Sequence, residues 1–438
     1  MKRRRGTTDV RRFLEAAEAA SPVEAVEQVA RELGLAFGAA TVSFLIADLS
    51  GRALVRLAHV PLTQDPAAGN RSSDLGVRRD EEESARVLPF DGGPEEQAVR
   101  TQQVSVLPPD AAVPQSETAD MWRVLAPVTE RGESIGLLKM FLPEEPDQEV
   151  VDEIAQVALL MAFVVIANRR HTDLFEWGQR SRSFSLSAEI QQRLLPEAHT
   201  CEASAFTLAA WLEPAASIGG DTFDYSQARD SLHLSLTDAM GHGVNAALTA
   251  SVCVGGLRGA RRRGMSLLEQ AAIANSSLAD HAFGRAGDDF ATGVIARVNL
   301  ETGAIEVINA GHVLPYLLRG TEVTSLDLKA DLPFGMFAET VYESTHLTLE
   351  AGDRLVFVTD GMLERNVAGI DLPGAIRNSG RLHPREVVRA LADSALAAAG
   401  HALEDDATVL VLDWHGMHDE SRESVSGADP ERASEPLD

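Results

Sequence analysis

Hydrophobic and polar positions along the chain fall into two regimes. Residues 9–34 repeat apolar positions at helical spacing, with Ser21 placed to cap a helix starting at Pro22 and Gly34 placed to stop it. The next stretch, ATVSFLIADLSGRALVRLAHV, alternates apolar and polar residues around Asp48–Gly51 and predicts a hairpin. Residues 61–86 are polar, carry Pro, Gly and a DEEE cluster, and predict a loop. Short strands follow in RVLPF, QVSVLPP and WRVLAPVTERGESIGLLKMFLP, with ERGES turning the chain between the last two. After an N-terminal segment at 1–20, this order predicts one α/β sensor-like domain over 21–170.

From Asp147 to about Leu194 the periodicity is helical and predicts a connector helix over 147–195. Its most apolar part, IAQVALLMAFVVIA at 154–167, falls short of the roughly 20 apolar residues that span a bilayer. It is therefore expected to pack on the sensor domain or on its copy in a homodimer. Beyond Pro196 the pattern changes to strands and glycine turns: FTLAAWLEP, SLHLSLTD, FATGVIARVNL, AIEVINAG, DRLVFVTDG and ATVLVLDW. Three helical runs are inserted among them, NAALTASVCVGGLRGARRR, SLLEQAAIANSSLADHAF and HPREVVRALADSALAAAG. Many strands with a few long helices predict a β-sandwich covered by helices over 196–414. Residues 415–438 are acidic and nearly free of large apolar side chains, and predict a disordered tail.

Composition narrows the function. A net charge of −27 over 438 residues opposes binding to nucleic acid or to an anionic membrane, both of which need clustered Lys and Arg. The opening MKRRRG is followed by TTDVRRFLEAAE and not by an apolar run, so no secretory signal is expected. The two cysteines, Cys201 and Cys253, make neither a disulfide framework nor a CxxC pair, which fits a cytoplasmic protein. Cys253, on an apolar helix face, reads as core.

Candidate chemistry lies where strands meet turns. Asp221 in SIGGDTFDY, Asp238 in SLTDAMGHG, Asp360 in LVFVTDGML, and Asp405 with Asp406 in LEDDATVLVL all end or begin apolar strands. An unpaired carboxylate is costly in such company, and its repetition points to a compensating cation. Carboxylate oxygens suit hard divalent ions such as Mg²⁺ or Mn²⁺. Gly219, Gly220, Gly241, Gly243 and Gly361 sit where they would let the backbone approach such a site. Taken singly, an Asp-Gly after a strand is usually a turn, and His242 and His312 are equally well read as hydrogen-bonding spacers. No GxxxxGK[ST] or GxGxxG occurs in a strand-to-helix setting, so a nucleotide loop is unsupported.

Taken in order, EIQQRLLPE, SIGGDTFDY, TDAMGHGVNAAL, FATGVIARVNLETGAIEVINAGHVLP, LPFGMF, LEAGDRLVFVTDGMLE and DDATVLVL resemble the SpoIIE/RsbU group of PPM-type serine/threonine phosphatases over about 185–414. The resemblance implies an αββα sandwich with two Mn²⁺ or Mg²⁺ ions at one end of the sheets. Asp238 then matches the bridging ligand, the carbonyl of Ala239 a backbone ligand, and Asp221, Asp360 and Asp405 the remaining metal carboxylates. Asp221, Asp238 and Asp360 would act through a metal-activated water, with Gly220, His242, Asp406 and Gly361 in support. Asp405 is preferred to Asp406 because it stands three residues before Thr408. The family's substrates imply a phosphorylated STAS-type anti-anti-sigma protein as partner.

The N-terminal half resembles a GAF domain through AVEQVARELGLAFGAATVSFLIADLSG and VLAPVTERGESIGLLKMF, and a PAS-like sensor fits the same pattern. No cysteine precedes Cys201, which excludes a thioether-linked bilin there, and no cofactor residue is identified in this half. The expected function is a phosphoprotein phosphatase under sensory control. Its rivals are a silent partner-binding module and a hydrolase of small phosphate esters.

Overall fold

Alternation sorts each strand's side chains between the two faces of a sheet. In the computed structural model, which describes residues 10–49, 51–62, 87–109, 120–179, 185–214, 219–282, 289–363, 370–400, 403, 405–416, 422, 424 and 426–436, this sorting builds two units. Unit 1 comprises Met1–Ser183 together with Glu423–Asp438; unit 2 comprises Phe184–Arg422.

Unit 1 contains α1 (Val10–Ala19), α2 (Ala25–Phe37), β1 (Thr41–Ala47), β2 (Ala53–Pro61), β3 (Val87–Pro89), α3 (Pro94–Thr101), β4 (Ser105–Leu107), β5 (Trp122–Glu130), β6 (Glu133–Leu142), α4 (Gln148–Asn168) and α5 (Leu174–Gly178). Its sheet is antiparallel in the order β3-β2-β1-β6-β5-β4. Phe44, Ile46, Val124, Ala126, Leu138 and Met140 face α2 and α4, while Leu45, Leu125 and Leu137 face Ala98 and Val99 of α3. The hairpin expected around Asp48–Gly51 is formed by β1 and β2. Helix α2 runs through Gly34, whose Cα lies under Leu62, and stops at Gly38, which takes the left-handed φ of +68°. The expected stop at Gly34 is therefore four residues early. Helix α3, with Pro94 at its start, was not anticipated; eight residues are too few for a clear period. Most of the expected loop at 61–86 lies outside the described residues.

The expected single connector helix over 147–195 is not formed. Helix α4 starts at the Asp147 cap, whose carboxylate accepts from the Val150 amide, and ends in a 3₁₀ turn at Arg169–His171. Thr172 then takes an extended backbone and α5 follows as a separate turn of helix. The helical run resumes only in unit 2. The helix through His171 spans 24 residues and contains an 18-residue window of mean hydropathy 2.2, by length and composition enough to cross a membrane, which corrects the expectation that this run is too short. Half of its apolar window is buried, with Ile154, Val157, Met161 and Val165 in the unit 1 core.

Unit 2 opens with α6 (Leu186–Leu194), capped by the Ser185 hydroxyl, and continues through β7 (Thr200–Glu202), β8 (Phe206–Glu213), β9 (Asp221–Gln227) and β10 (Ser231–Ala239). Next come α7 (Gly243–Arg262), α8 (Leu267–Ala282), β11 (Ala291–Asn299), β12 (Ala304–Ala310), β13 (Tyr316–Arg319), β14 (Glu322–Ser325), β15 (Ala330–Asp331), β16 (Thr345–Thr348) and β17 (Arg354–Val358). The unit closes with α9 (Leu372–Asn378), α10 (Pro384–Ala398) and β18 (Ala407–Trp414). One sheet runs β15-β12-β11-β10-β9 with β16 beside β12; the other runs β14-β13-β17-β18-β8-β7.

Between the sheets pack Leu232, Leu234, Leu236, Val294, Val307, Leu355, Phe357, Leu410 and Leu412. Their sequence neighbours point outward: Val356, Val358, Val409 and Val411 meet α9 and α10, and Ile295 and Ile308 meet α7 and α8. The unit is thus an αββα sandwich, as the sequence predicts. Cys253 is fully buried among alanines and leucines of this outer layer, and burial pushes its thiol up to about 12.

Candidate metal centre

All four acidic sites arrive at the same end of the sandwich. Asp221 opens the edge strand β9 and faces Asp238, near the end of β10, across the ladder. In the opposite sheet, Asp360 follows β17 and Asp405 and Asp406 precede β18, strands that pair with each other. Within each sheet antiparallel pairing produces this, because the start of one strand lies beside the end of its neighbour.

Asp221 ties the two sheets together. Its Oδ2 accepts hydrogen bonds from Thr359 Oγ1 at 2.7 Å and Thr408 Oγ1 at 2.6 Å, both residues of the opposite sheet's strand ends. The Thr408 amide in turn donates to Thr359 Oγ1 at 2.9 Å. Beside this pair, the buried hydroxyls of Thr222 and Thr237 bond each other at 2.6 Å. Asp406 is as buried as Asp221. Its Oδ2 accepts from Gln191 Nε2 of α6 at 2.7 Å and from the Gly219 amide at 3.1 Å, and the same Gln191 amide donates to the Asp221 carbonyl at 2.9 Å. Asp406 is therefore a fixed strut. Asp405 and Asp238 are half-buried and Asp360 is exposed, so these three carboxylates front the solvent side.

Electrostatics sets this cluster apart from a structural turn. Burial, together with the charges of Asp238 and Asp406, holds the Asp221 carboxyl well above the usual range against the pull of the two threonine hydroxyls. Burial and the charges of Asp360, Asp405 and Asp406 push Asp238 up to about 7. Asp405 is also raised, chiefly by burial and by Asp360, with the Asp406 amide and His242 opposing. Carboxyls that resist ionisation because they repel one another are relieved by a cation between them. Among the described residues, no three acidic, His or Cys side chains close into a ready-made cage. Hard divalent ions that keep several waters and take only a few protein oxygens each do not require one.

The glycines divide into two kinds. A Cβ on Gly219 would lie 2.6 Å from Asp405 Oδ1, on Gly220 2.3 Å from the Ala239 carbonyl oxygen, and on Gly361 2.1 Å from the Asp406 carbonyl oxygen. Only a bare Cα lets these segments approach. Gly241 and Gly243 have open space around them but take φ of +98° and +71°, so they form the corner after Asp238 and do not make room at the site. That corner leaves His242 exposed at the start of α7, beside Asp405. His312 is elsewhere: it is buried, bonds Thr292 Oγ1 at 2.8 Å, and is lowered to about 4 by burial. Gln191, Thr359 and the pairing role of Thr408 escaped the sequence reading, since polar residues next to strand ends carry no distinguishing signal.

Three comparisons bear on this site. Residues 228–415 match the family model described as Stage II sporulation protein E. These residues are thus similar to SpoIIE domains. The chain is 26% identical over 289 residues, 63% of its length and 83% of the relative's, to the phosphoserine phosphatase RsbU of Bacillus subtilis (strain 168). Among solved structures it is similar to the RsbU and RsbW domains of Rv1364c from Mycobacterium tuberculosis, at 23% identity and a TM-score of 0.42, covering 49% of this chain and 62% of that one. It is similar also to the SiaA-PP2C domain of Pseudomonas aeruginosa, at 20% identity and a TM-score of 0.42, covering 47% of this chain and 85% of that one. The SpoIIE match takes in Asp238, Asp360 and Asp405, while Asp221 and Gln191 lie ahead of it.

Proposed function

We propose that this chain is a cytoplasmic, metal-dependent phosphatase that hydrolyses phosphoserine or phosphothreonine on a regulatory protein, with a phosphorylated STAS-type anti-anti-sigma protein as its substrate. The observation that carries this reading is the meeting of Asp221, Asp238, Asp360 and Asp405 at one end of two sheets, with the carboxyls of Asp221, Asp238 and Asp405 raised by burial and by neighbouring carboxylates. These side chains and the Ala239 carbonyl would hold two Mn²⁺ or Mg²⁺ ions, a donor set of hard oxygens that fits them. When bound, such a pair supplies an activated water and neutralises phosphoryl charge. The chain's own part is positional. Thr359 and Thr408 fix Asp221, Gln191 and the Gly219 amide fix Asp406, and the strand ends set the carboxylates facing one another before substrate arrives.

Unit 1 is the sensor in this reading, GAF-like in pattern. It acts through α6, which follows it in the chain and reaches the site through Gln191. Homodimerisation would use α4, where Phe163 stays half exposed. Hydrolysis of p-nitrophenyl phosphate and of a phosphorylated STAS protein with Mn²⁺ tests the proposal, with Asp238→Asn and Asp360→Asn as comparisons. Turnover lost in both variants supports it. A wild type that binds the partner protein without turnover, with Mn²⁺ or Mg²⁺, establishes the silent binding module in its place, and far faster hydrolysis of small esters establishes the metabolite hydrolase.

A further inference from the structure

The end of the chain is not free of the fold. Ser426, Ala428, Asp429 and Ser434 are only 4%, 3%, 7% and 3% exposed, although residues 426–436 contain neither helix nor strand, so for these residues the structure departs from the expectation of a disordered tail over 415–438, of which 417–421, 423, 425, 437 and 438 lie outside the described residues. Polarity misled the sequence reading here, because the contacts are made by backbone and small side chains. The Gly132 amide, in the turn between β5 and β6, donates to the Gly427 carbonyl at 3.0 Å. Arg100 Nε of α3 donates to the Glu435 carbonyl at 2.9 Å, and Ser426 Oγ reaches the Gln102 carbonyl at 3.5 Å. Gly427 takes a φ of +94°, and a Cβ there would stand 1.9 Å from the Thr129 carbonyl oxygen and 3.1 Å from Leu159 Cδ1 of α4. The approach is therefore specific to glycine. Beyond it, Asp429 accepts from the Glu431 amide and pairs with Arg432 at 3.0 Å, which pre-forms the turn around Pro430.

Two features keep this contact from being an irreversible part of the core. Ala428 is its one buried apolar side chain, so little hydrophobic area holds it down. On the receiving surface, Gln102 Oε1 and Thr129 Oγ1 are buried without a hydrogen-bond partner among the described residues, and Gln102 itself is held at a left-handed φ of +55°. Polar atoms denied both water and a partner favour the open state. The root of the segment is firm by contrast: Arg422, the last residue of unit 2, pairs with buried Glu202, which also bonds His383 Nε2 at 3.1 Å.

We infer that the surface of unit 1 made by Gln102, Thr129–Gly132 and Leu159 is a docking site whose occupant is residues 426–436 of this same chain, held as a detachable latch. Unit 1 is thereby built from both ends of the chain, with unit 2 as an insert between them. The inference is independent of any catalytic activity.

Amide hydrogen exchange on the full-length protein tests it. Wild-type residues 426–436 and the Gly132 amide are expected to be protected, but at least 100-fold less than the amides of α4 and β5. Gly427→Val is expected to speed exchange at 426–436 and at Gly132 at least 10-fold while leaving α4 unchanged. A synthetic peptide of residues 424–438 added to the Gly427→Val protein should restore protection at Gly132, and the same peptide carrying the valine should not. Wild-type exchange at 426–436 as fast as in an unstructured peptide would overturn the docking. So would no change in Gly427→Val, or no protection by the added peptide. Protection equal to that of α4 would overturn the detachable character.

Discussion

At the scale of single residues, the site is governed by carboxyls that are costly to ionise. The folded value for Asp238 is about 7 against an ordinary 3.8, so the native state keeps a proton that the unfolded chain releases. Stability from this group is therefore full below about pH 4 and is lost as pH rises through about 7. In metal-free protein, Asp238→Asn should exceed wild type in stability at pH 8 by on the order of 1–4 kcal/mol, with the gap closing near pH 4. Urea midpoints at the two pH values measure this, and a pH-independent gap would refute it. Saturating Mn²⁺ should raise the wild-type midpoint at pH 8 and leave that of Asp238→Asn nearly unmoved. Thr408→Val removes one of two hydroxyls from the Asp221 carboxylate, and a loss of about 1–3 kcal/mol is expected in the same assay. Gly361→Val would drive a side chain into the Asp406 carbonyl and should cut metal-dependent turnover at least 10-fold, read from initial rates.

The sequence showed the acids and missed their supports, for a physical reason. An aspartate at the end of an apolar run stands out against its neighbours, as at Asp238 and Asp360. Thr359 and Gln191 look like any polar residue in a turn or on a helix, and their meaning comes from partners 138 and 215 positions away.

At the scale of elements, α6 is the part that links chain order to chemistry. Its amphipathic face buries Ala188 and Gln191, and through Gln191 it bonds both the Asp221 carbonyl and the Asp406 carboxylate. Its end is fastened as well, since Arg258 of α7 donates to the Leu194 carbonyl at 2.6 Å and to Asp224 of β9 at 2.8 Å. A shift of α6 thus changes the support of the site without touching the strands. Gln191→Leu keeps the helix former and its bulk while removing both donors. It should lower kcat about 10-fold or more, with the far-ultraviolet dichroism unchanged. A wild-type rate would show that α6 is only a cover.

At the scale of the whole molecule, two cores of different construction share one chain. In the proposed homodimer, the half-exposed Phe163 of the apolar α4 would lie on the face that packs against a second copy. Sedimentation of the full-length protein should give a dimer for wild type and a monomer for Phe163→Glu, with Mn²⁺-dependent hydrolysis of p-nitrophenyl phosphate retained in the variant. A monomeric wild type would remove the dimer from the proposal.

The sequence alone determined what local periodicity can carry. Strands of period two, helices of period 3.6, the change of regime after Pro196 and the aspartates at strand ends were all present in short windows. The sandwich followed, because alternating strands with inserted helices have few ways to bury both faces. Tertiary structure decided what depends on distant partners. It broke the helical run after Asn168, where an extended Thr172 backbone interrupts it, and drew the acidic 426–436 segment onto unit 1 through backbone contacts that composition does not encode. It also gave two adjacent identical residues different surroundings, burying Asp406 against Gln191 and the Gly219 amide and leaving Asp405 half-buried, a difference that only distant partners could make.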